Sequence, residues 1–280
     1  VFSLNEIRHQ TSVPDLPPLP PGRDGYLLAN IPEPCDEGSV AKLDGGLIRY
    51  CLKSYQRSYI DMAGDFDAYQ ARFSGKTRSG IKRKVKKFAE NAGGLDFRSY
   101  RTPDEIRHFF DLARPVSAAS YQERLLDCGL PTEREYIERA VASAAEDQVR
   151  AFLLFAQDKP VSYLYCPVEQ GVLEYAYLGY VPELSRLSPG TVLQWLAMEQ
   201  LFAEQRFLAF DFTEGDSEHK RFFSTHQVPC SLHLVLKANA KHRTLVTLHH
   251  AAEEGSQYLA GALDRLGLKQ RVKRWIRRAA

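Results

Sequence analysis

The chain has 280 residues, 44% apolar and 26% charged, with 18 Gly and 15 Pro. That composition excludes collagen-like, coiled-coil, disulfide-scaffold and wholly disordered chains, and its length allows one large or two small domains. No uncharged apolar run reaches the roughly 18 residues that span a bilayer; the longest candidate, Phe222–Leu236, is interrupted by His226, Gln227, Pro229 and His233. Val1–Gln10 lacks the basic stretch and apolar run of a secretory leader. The five cysteines (Cys35, Cys51, Cys128, Cys166, Cys230) are odd in number and far apart, with no CxxC or Cys/His cluster. Buried reduced thiols, no metal site and a cytoplasmic setting are expected.

The net charge of +2 conceals two basic segments. Lys76–Glu90 carries +6 and Arg265–Ala280 carries +7, which leaves −11 on the remainder. In the second segment Leu268, Val272, Trp275, Ile276 and Ala279 recur at helical spacing between bases. An apolar stripe with Trp beside a basic face fits a helix lying on a membrane surface. It fits equally a helix packed on the body with solvated bases at its C-terminal end.

Along the chain, Pro14–Pro21 reads as an extended entry segment. Residues 45–62 read as two strands in a hairpin. Asp65 or Asp67 opens a helix that runs, with a break near Ser74–Gly80, to Asn91, where Gly93–Gly94 ends it. Leu95–Tyr100 alternates as a strand. Thr102–Glu105 is a capping box with Pro103 at the first helical position, predicting a helix to about Ala113. Thr132–Glu135 repeats the signature and starts a helix ending near Ala145. Three strands follow, Val149–Ala156, Pro160–Val168 and Val172–Tyr180, joined by turns short enough for an antiparallel meander. Ser188–Pro189 caps a helix with Val192, Leu193, Leu196, Leu201 and Phe202 on its apolar face. Phe207–Thr213 reads as a strand, Ser217–Ser224 as a short helix and Ser231–Leu236 as a last strand.

The order β-α-α-β-β-β-α-β-α-β over about 95–240 resembles the GNAT acyltransferase fold. Tyr177-Leu-Gly-Tyr180, Ser188-Pro-Gly190, Asp211-Phe212, Gly215 and Lys220, preceded by the basic Ser74–Arg83, resemble its CelD-type acetyltransferase subgroup, which is related to the Fem-type peptidyltransferases. The similarity covers about 70–240. It implies a mixed α/β architecture with 95–240 as the acyltransferase lobe; outside it, residues 1–94 read as an N-terminal extension or partial lobe with a basic helix and 241–280 as a basic helical tail.

The resemblance also implies an acyl-thioester cleft between the fourth and fifth strands, with acetyl-CoA, a longer acyl-CoA or an acyl carrier protein as donor and no metal. The carrier's phosphates would lie on the helix start Ser188–Thr191, whose free amides suit an anion; Gly190 permits close approach and Arg186 can add a charged contact. An ordinary Ser-Pro cap without a ligand has the same local sequence. The usual Gln/Arg-x-x-Gly-x-Gly/Ala pattern is one residue out of step at Arg186–Gly190, which leaves the donor class open. Glu174, in an apolar strand, is either a base with a burial-raised pKa or an exposed strand residue. Asp211 is either catalytic or paired with a neighbour such as Lys220 or Arg221. Tyr177 and Tyr180 can orient the acceptor or protonate the leaving thiolate, or are core aromatics. His219–Lys220 stands where the subgroup often has Tyr-Lys, so His219 either replaces the tyrosine or is inert.

The expectation is an N-acyltransferase acting on a sugar, amino-acid or lipid amine, the basic tail favouring a sphingoid-type amine at the inner membrane face. Fem-like transfer from aminoacyl-tRNA, with 76–90 receiving the tRNA, is the alternative enzyme, and a degenerate lobe serving as a binding module the non-enzyme one.

Overall fold

The computed structural model describes residues 16–120 and 129–265, together with Leu4 and Ile7. The basic stripe at 268–279 and Cys128 lie outside the described residues. The chain forms two units: residues 1–57, 214–216 and 227–280 in one, 58–213 and 217–226 in the other. These interleave along the sequence, whereas the expected division at 94/95 and 240/241 is linear. The basic helix counts with the larger unit and the last strand with the smaller.

The larger unit is a mixed sheet with helices on both faces. In chain order it contains the end of β3 (Leu47–Asp61), α1 (Phe66–Ala71), α2 (Gly75–Ala92), β4 (Asp96–Tyr100), α3 (Pro103–Ala119), α4 (Arg134–Ala145), β5 (Val149–Ala156), β6 (Lys159–Glu169), β7 (Val172–Glu174), β8 (Tyr177–Tyr180), α5 (Pro189–Ala203), β9 (Ala209–Asp211) and α6 (Glu218–Phe223). Its strands run in the order β9-β7-β6-β5-β4, with β8 also on β6. β7 and β9 are parallel, and the remaining pairs are antiparallel. β5 and β6 are nearly continuous apolar runs because both faces are covered. Phe152, Leu154, Leu164 and Cys166 pack with α1, α2 and α5. Ala151, Leu153, Phe155, Tyr163 and Tyr165 pack with α3 and α4.

The caps mostly fall where the sequence places them. The Asp65 carboxylate accepts from the Ala68 amide at 2.7 Å, Ser74 Oγ from the Thr77 amide at 3.2 Å, and Gly93 ends α2 at φ 83°. The Thr102/Glu105 box is present, but α3 continues six residues beyond Ala113, through Pro115, because Val116 and Ser117 are buried in the core. α4 starts one residue past the expected cap: Glu133 precedes it and makes no side-chain cap.

An ion network centred on the buried Arg150 ties β5 to the far end of α5. Arg150, 2% exposed, donates from Nε and Nη2 to the Glu204 carboxylate at 2.7–3.0 Å and from Nη1 to Asp147 Oδ1 at 2.6 Å. Arg206 also pairs with Asp147.

The smaller unit contains β1 (Gly25–Ile31), β2 (Val40–Leu43), the first part of β3, β10 (His226–Lys237) and α7 (Ala240–Arg265). β1 pairs antiparallel with β10 and β2 with β3, and β10 lies beside β3 in the strand order. The expected hairpin over 45–62 is one 15-residue strand. Its turn is upstream, at Asp44–Gly46, where both glycines adopt φ 71°. Nothing between Leu47 and Asp61 supplies the positive φ of a tight turn. The expectation of reduced thiols fails at one pair: Cys35 and Cys51 form a disulfide, while Cys166 and Cys230 are free and buried. No helix among the described residues is long and apolar enough to cross a membrane.

Candidate active site

The expected strand Val172–Tyr180 is broken at Tyr175–Ala176, and the break makes the site. β7 is hydrogen-bonded between β6 and β9, with Glu174 opposite Asp211. The Tyr175 amide donates to the Asp211 carbonyl at 2.8 Å. Beyond that bond β8 pairs with β6 alone, so β8 and β9 splay apart. The start of α5 lies against the splayed strand. A cleft of about 430 Å³ is lined there by Tyr175, Leu178 and Tyr180, by Ser185 and Ser188–Thr191, and by Ser217, His219 and Lys220.

The helix start is organised by its backbone. Ser188 sits in the left-handed region at φ 53°, ψ 48°, and its side chain makes no cap bond, contrary to the Ser-Pro cap expected. Its amide turns back to Ser185 O at 2.9 Å, and among the described residues Val192 is the first of α5 whose amide finds an acceptor, Ser188 O at 3.1 Å. Proline at 189 has no N–H to lose. The Gly190 and Thr191 amides are thus left at the positive end of a 15-residue helix beside the cleft. A Cβ on Gly190 would meet Leu178 Cδ2 at 3.3 Å and Tyr180 Cδ1 at 3.4 Å, so glycine lets the helix approach β8.

The opposite wall is α6, capped by Ser217 Oγ accepting from the Lys220 amide at 3.2 Å. α1 fixes its other end: the Tyr69 hydroxyl and Arg72 Nη1 both donate to Phe223 O at 2.8 Å, and Arg72 also donates to Ser224 O. The His219 ring packs 4.9 Å from Phe223 and 6.2 Å from Tyr175, and its Nε2 is buried with no partner among the described residues. Burial, then the charges of Lys220 and Lys84, lower its pKa to about 4. Lys84 belongs to α2, whose Lys87 donates to Arg186 O at 3.2 Å. The basic helix therefore borders the cleft.

The neutral His219 makes stability acid-sensitive. Between its ordinary pKa of 6.5 and about 4 the unfolded chain binds a proton that the folded chain does not, so stability falls as pH falls across that window. The loss is expected to reach about 3 kcal/mol near pH 4. His219→Phe is expected to remove most of it. Urea unfolding of both proteins from pH 7 to 4 checks this, and parallel stability curves would refute it.

Of the residues singled out in the sequence, the cleft gathers Tyr180, Ser188, Gly190, Thr191, His219 and Lys220. It does not take in Glu174, Tyr177, Asp211 or Arg186. Glu174 is exposed, so the burial argument for a raised carboxylate pKa fails: the strand buries Leu173, not Glu174. Asp211 is buried and Oδ1 accepts from the Thr213 amide at 2.9 Å, shaping the turn after β9. Arg186 is exposed, and only its carbonyl is described in a bond. Tyr177 lies on the α3/α4 face with Tyr136 and Tyr165, ring centroids 6.3–6.4 Å apart. Burial first, then neighbouring phenols and Glu174, raises the Tyr136 pKa. Burial likewise raises that of Tyr165. Tyr136, Tyr175 and Ser185 went unread in the sequence. Tyr175 carried a faint signal, being one residue from Glu174 in a segment already marked, whereas Tyr136 reaches the cluster only through tertiary packing.

Comparison with known proteins follows the same lines. The family model for the acetyltransferase (GNAT) domain matches residues 75–221. No curated protein sequence matches the chain. Among solved structures, the C-terminal domain of a protein described as a lysylphosphatidylglycerol synthetase from Agrobacterium fabrum is similar with a TM-score of 0.51 and 13% identity, over 74% of this chain and 67% of that one. The structure of L-PGS from Bacillus licheniformis matches over the same shares with 16% identity and a TM-score of 0.46. FemX matches over 68% of this chain and 64% of that one, with 13% identity and a TM-score of 0.46. At these identities the likeness is one of fold.

Proposed function

Because the chain belongs to the acetyltransferase (GNAT) domain family, we propose that it is an N-acyltransferase that takes an acyl group from a phosphate-bearing thioester carrier and passes it directly to an amine. The observation that carries this is the cleft at the strand splay, where the Gly190 and Thr191 amides begin α5. Lys220 lines the same space, and Lys84 and Lys87 border it. Amides at a helix start, backed by lysines, fit a phosphate. Acetyl-CoA, a longer acyl-CoA and an acyl carrier protein share that chemistry. The carrier, when bound, supplies a thioester carbonyl to the amine.

The chain's residues divide the remaining work. Gly190, Thr191 and Lys220 hold the phosphates, with Ser188 and Arg186 at the margin, and Tyr180 forms the wall along β8. His219 serves as a hydrogen-bond acceptor for the carrier's arm, since an imidazole with a pKa near 4 is a weak base at neutral pH. On the α3/α4 face, exposed Glu174 attracts the acceptor's ammonium and takes its proton through water. Tyr177, in the phenol cluster with Tyr136, donates to the departing thiolate. Asp211 holds the turn and makes no contact with the acceptor in this scheme.

Aminoacyl transfer is the second reading. The basic helix at the cleft border favours it, as does the likeness of fold to a protein named for an aminoacyl-lipid product. The acceptor in either case is a small-molecule, sugar or lipid amine. We place a lipid amine first, because the basic C-terminal segment would bring the enzyme to an anionic inner membrane face. Failure of the intact protein to co-sediment with anionic liposomes at low salt would remove that preference.

Thermal unfolding with CoA, acetyl-CoA, a long-chain acyl-CoA and tRNA tests the donor. A ligand bound only by the native state adds about 2.7 kcal/mol at a hundredfold excess over its Kd, a shift of several degrees for a chain of this size. Stabilisation by the CoA series supports acyl transfer, and its ranking gives the acyl length. Stabilisation by tRNA alone, with a steep salt dependence, selects aminoacyl transfer. No response to any of them, or to an acyl carrier protein, refutes both and leaves a binding module.

A further inference from the structure

The smaller unit contains a cluster of two cysteines and a histidine. Cys35 lies in the loop between β1 and β2, Cys51 on β3 and His233 on β10. The cysteine Cα atoms are 6.4 Å apart and the sulfurs are joined. The two sulfurs and a His233 ring nitrogen lie within 4.8 Å of one another. His233 is 2% exposed. Its Nε2 is 2.8 Å from Ser231 Oγ, and Nδ1 is buried with no hydrogen-bond partner. A buried imidazole nitrogen without a partner is costly, and its ring lies near the two sulfurs. With the proton on Nε2 and directed to Ser231, Nδ1 carries a lone pair, as a metal-ligating histidine does when its other nitrogen is held by an outer partner.

We propose that in the dithiol state Cys35, Cys51 and His233 bind one Zn²⁺ through Sγ, Sγ and Nδ1, with Ser231 orienting the ring, and that disulfide formation releases the ion. Two thiolates and an imidazole suit Zn²⁺ and disfavour Mg²⁺ or Ca²⁺. In tetrahedral geometry such ligand atoms stand roughly 3.3–3.8 Å apart, within reach of the observed cluster after small rotations. Three protein ligands leave the fourth position to water. On binding, the two thiols release two protons to solvent. On oxidation by an exogenous small-molecule disulfide, the two thiolates form the Cys35–Cys51 bond, two electrons pass to the oxidant, which leaves as two thiolates that take two protons from solvent, and Zn²⁺ returns to water.

The test uses the full chain, reduced with a phosphine that is then removed, and circular dichroism to follow folding. Competition with a chromophoric chelator is expected to give one Zn²⁺ per reduced chain and none per oxidised chain. Co²⁺ in place of Zn²⁺ is expected to show a thiolate-to-metal charge-transfer band that the exogenous disulfide abolishes. Cys35→Ser is expected to lose the high-affinity site. Ser231→Ala, a milder change that leaves every ligand, is expected to weaken Zn²⁺ binding about 10- to 100-fold, beside a drop of a few degrees in the thermal midpoint of the oxidised protein from the unpaired Nε2. The proposal is overturned if folded, reduced protein binds Zn²⁺ no more tightly than Cys35→Ser. It is also overturned if Ser231→Ala binds like the parent, or if reduction unfolds the chain and Zn²⁺ does not restore it.

Discussion

Gly190→Val is expected to abolish the stabilisation of the protein by its donor while leaving the fold in place. The backbone does not require glycine there, since Gly190 is not among the positive-φ residues. The requirement is space. A single Cβ already stands 3.3 Å from Leu178 Cδ2 and 3.4 Å from Tyr180 Cδ1, and the two further methyls of valine must push the start of α5 away from β8. Overpacking of this kind costs about 1–3 kcal/mol, which most folded domains survive. The displaced element, however, carries the Gly190 and Thr191 amides. The stabilisation by saturating donor, about 2.7 kcal/mol at a hundredfold excess, is expected to fall below detection, and transferase activity with it. Gly190→Ala, with only the Cβ to accommodate, is expected to fall between the two. Adding Leu178→Ala to Gly190→Val relieves the tighter contact and is expected to recover part of the donor response. Unchanged donor binding in Gly190→Val would remove the helix start from the site.

How far this site could be read from sequence depends on which interactions build it. Local signals transferred at some element ends and failed at others: the caps expected at Thr132 and Ser188 are not made. The caps at Asp65, Ser74, Thr102 and Ser217 and the stop at Gly93 are satisfied within three or four residues of themselves, so the sequence around them is enough. The break at Tyr175–Ala176 is a different matter. It depends on the Tyr175 amide finding Asp211, 36 positions away in the chain, and on the Ala176 amide turning back to Glu174 and Tyr165, so nothing in the local composition marks it. The same holds for Glu174, where alternation establishes two faces but both faces of this sheet are covered. The side that receives Leu173 could be assigned only once α5 was seen to pack there. The Cys35–Cys51–His233 cluster is the extreme case, assembled from a loop and the neighbouring strands β3 and β10 and invisible to any motif based on short spacing.

The second large effect separates stability from binding at the opposite end of the cleft helix. Glu204→Gln is expected to lower the unfolding free energy by about 3–5 kcal/mol, because it leaves the Arg150 guanidinium, 2% exposed, without the carboxylate that accepts its Nε and Nη2 donors. Asp147 compensates only in part, since it is half exposed and shared with Arg206. Hydrogen bonds from Arg150, ahead of those from Arg206, hold the Asp147 carboxyl below its usual 3.8. Its contribution is therefore present above that pH and lost as pH falls through the lowered value. The cost in Glu204→Gln is that of an uncompensated buried charge rather than the worth of the pair. The double variant Arg150→Met/Glu204→Leu, which removes both charges and keeps the volume, is therefore expected to be far less destabilised than the sum of its singles. Urea denaturation of the four proteins in the cycle measures this, and additivity would refute it. The ligand response sharpens the contrast with Gly190→Val. Arg150 and Glu204 anchor the C-terminal end of α5, 14 residues beyond Gly190, so Glu204→Gln is expected to unfold earlier yet keep the full donor-induced increment below its midpoint. If both substitutions removed that increment equally, α5 would act as a single rigid lever and the amides at its start could not be credited with the binding.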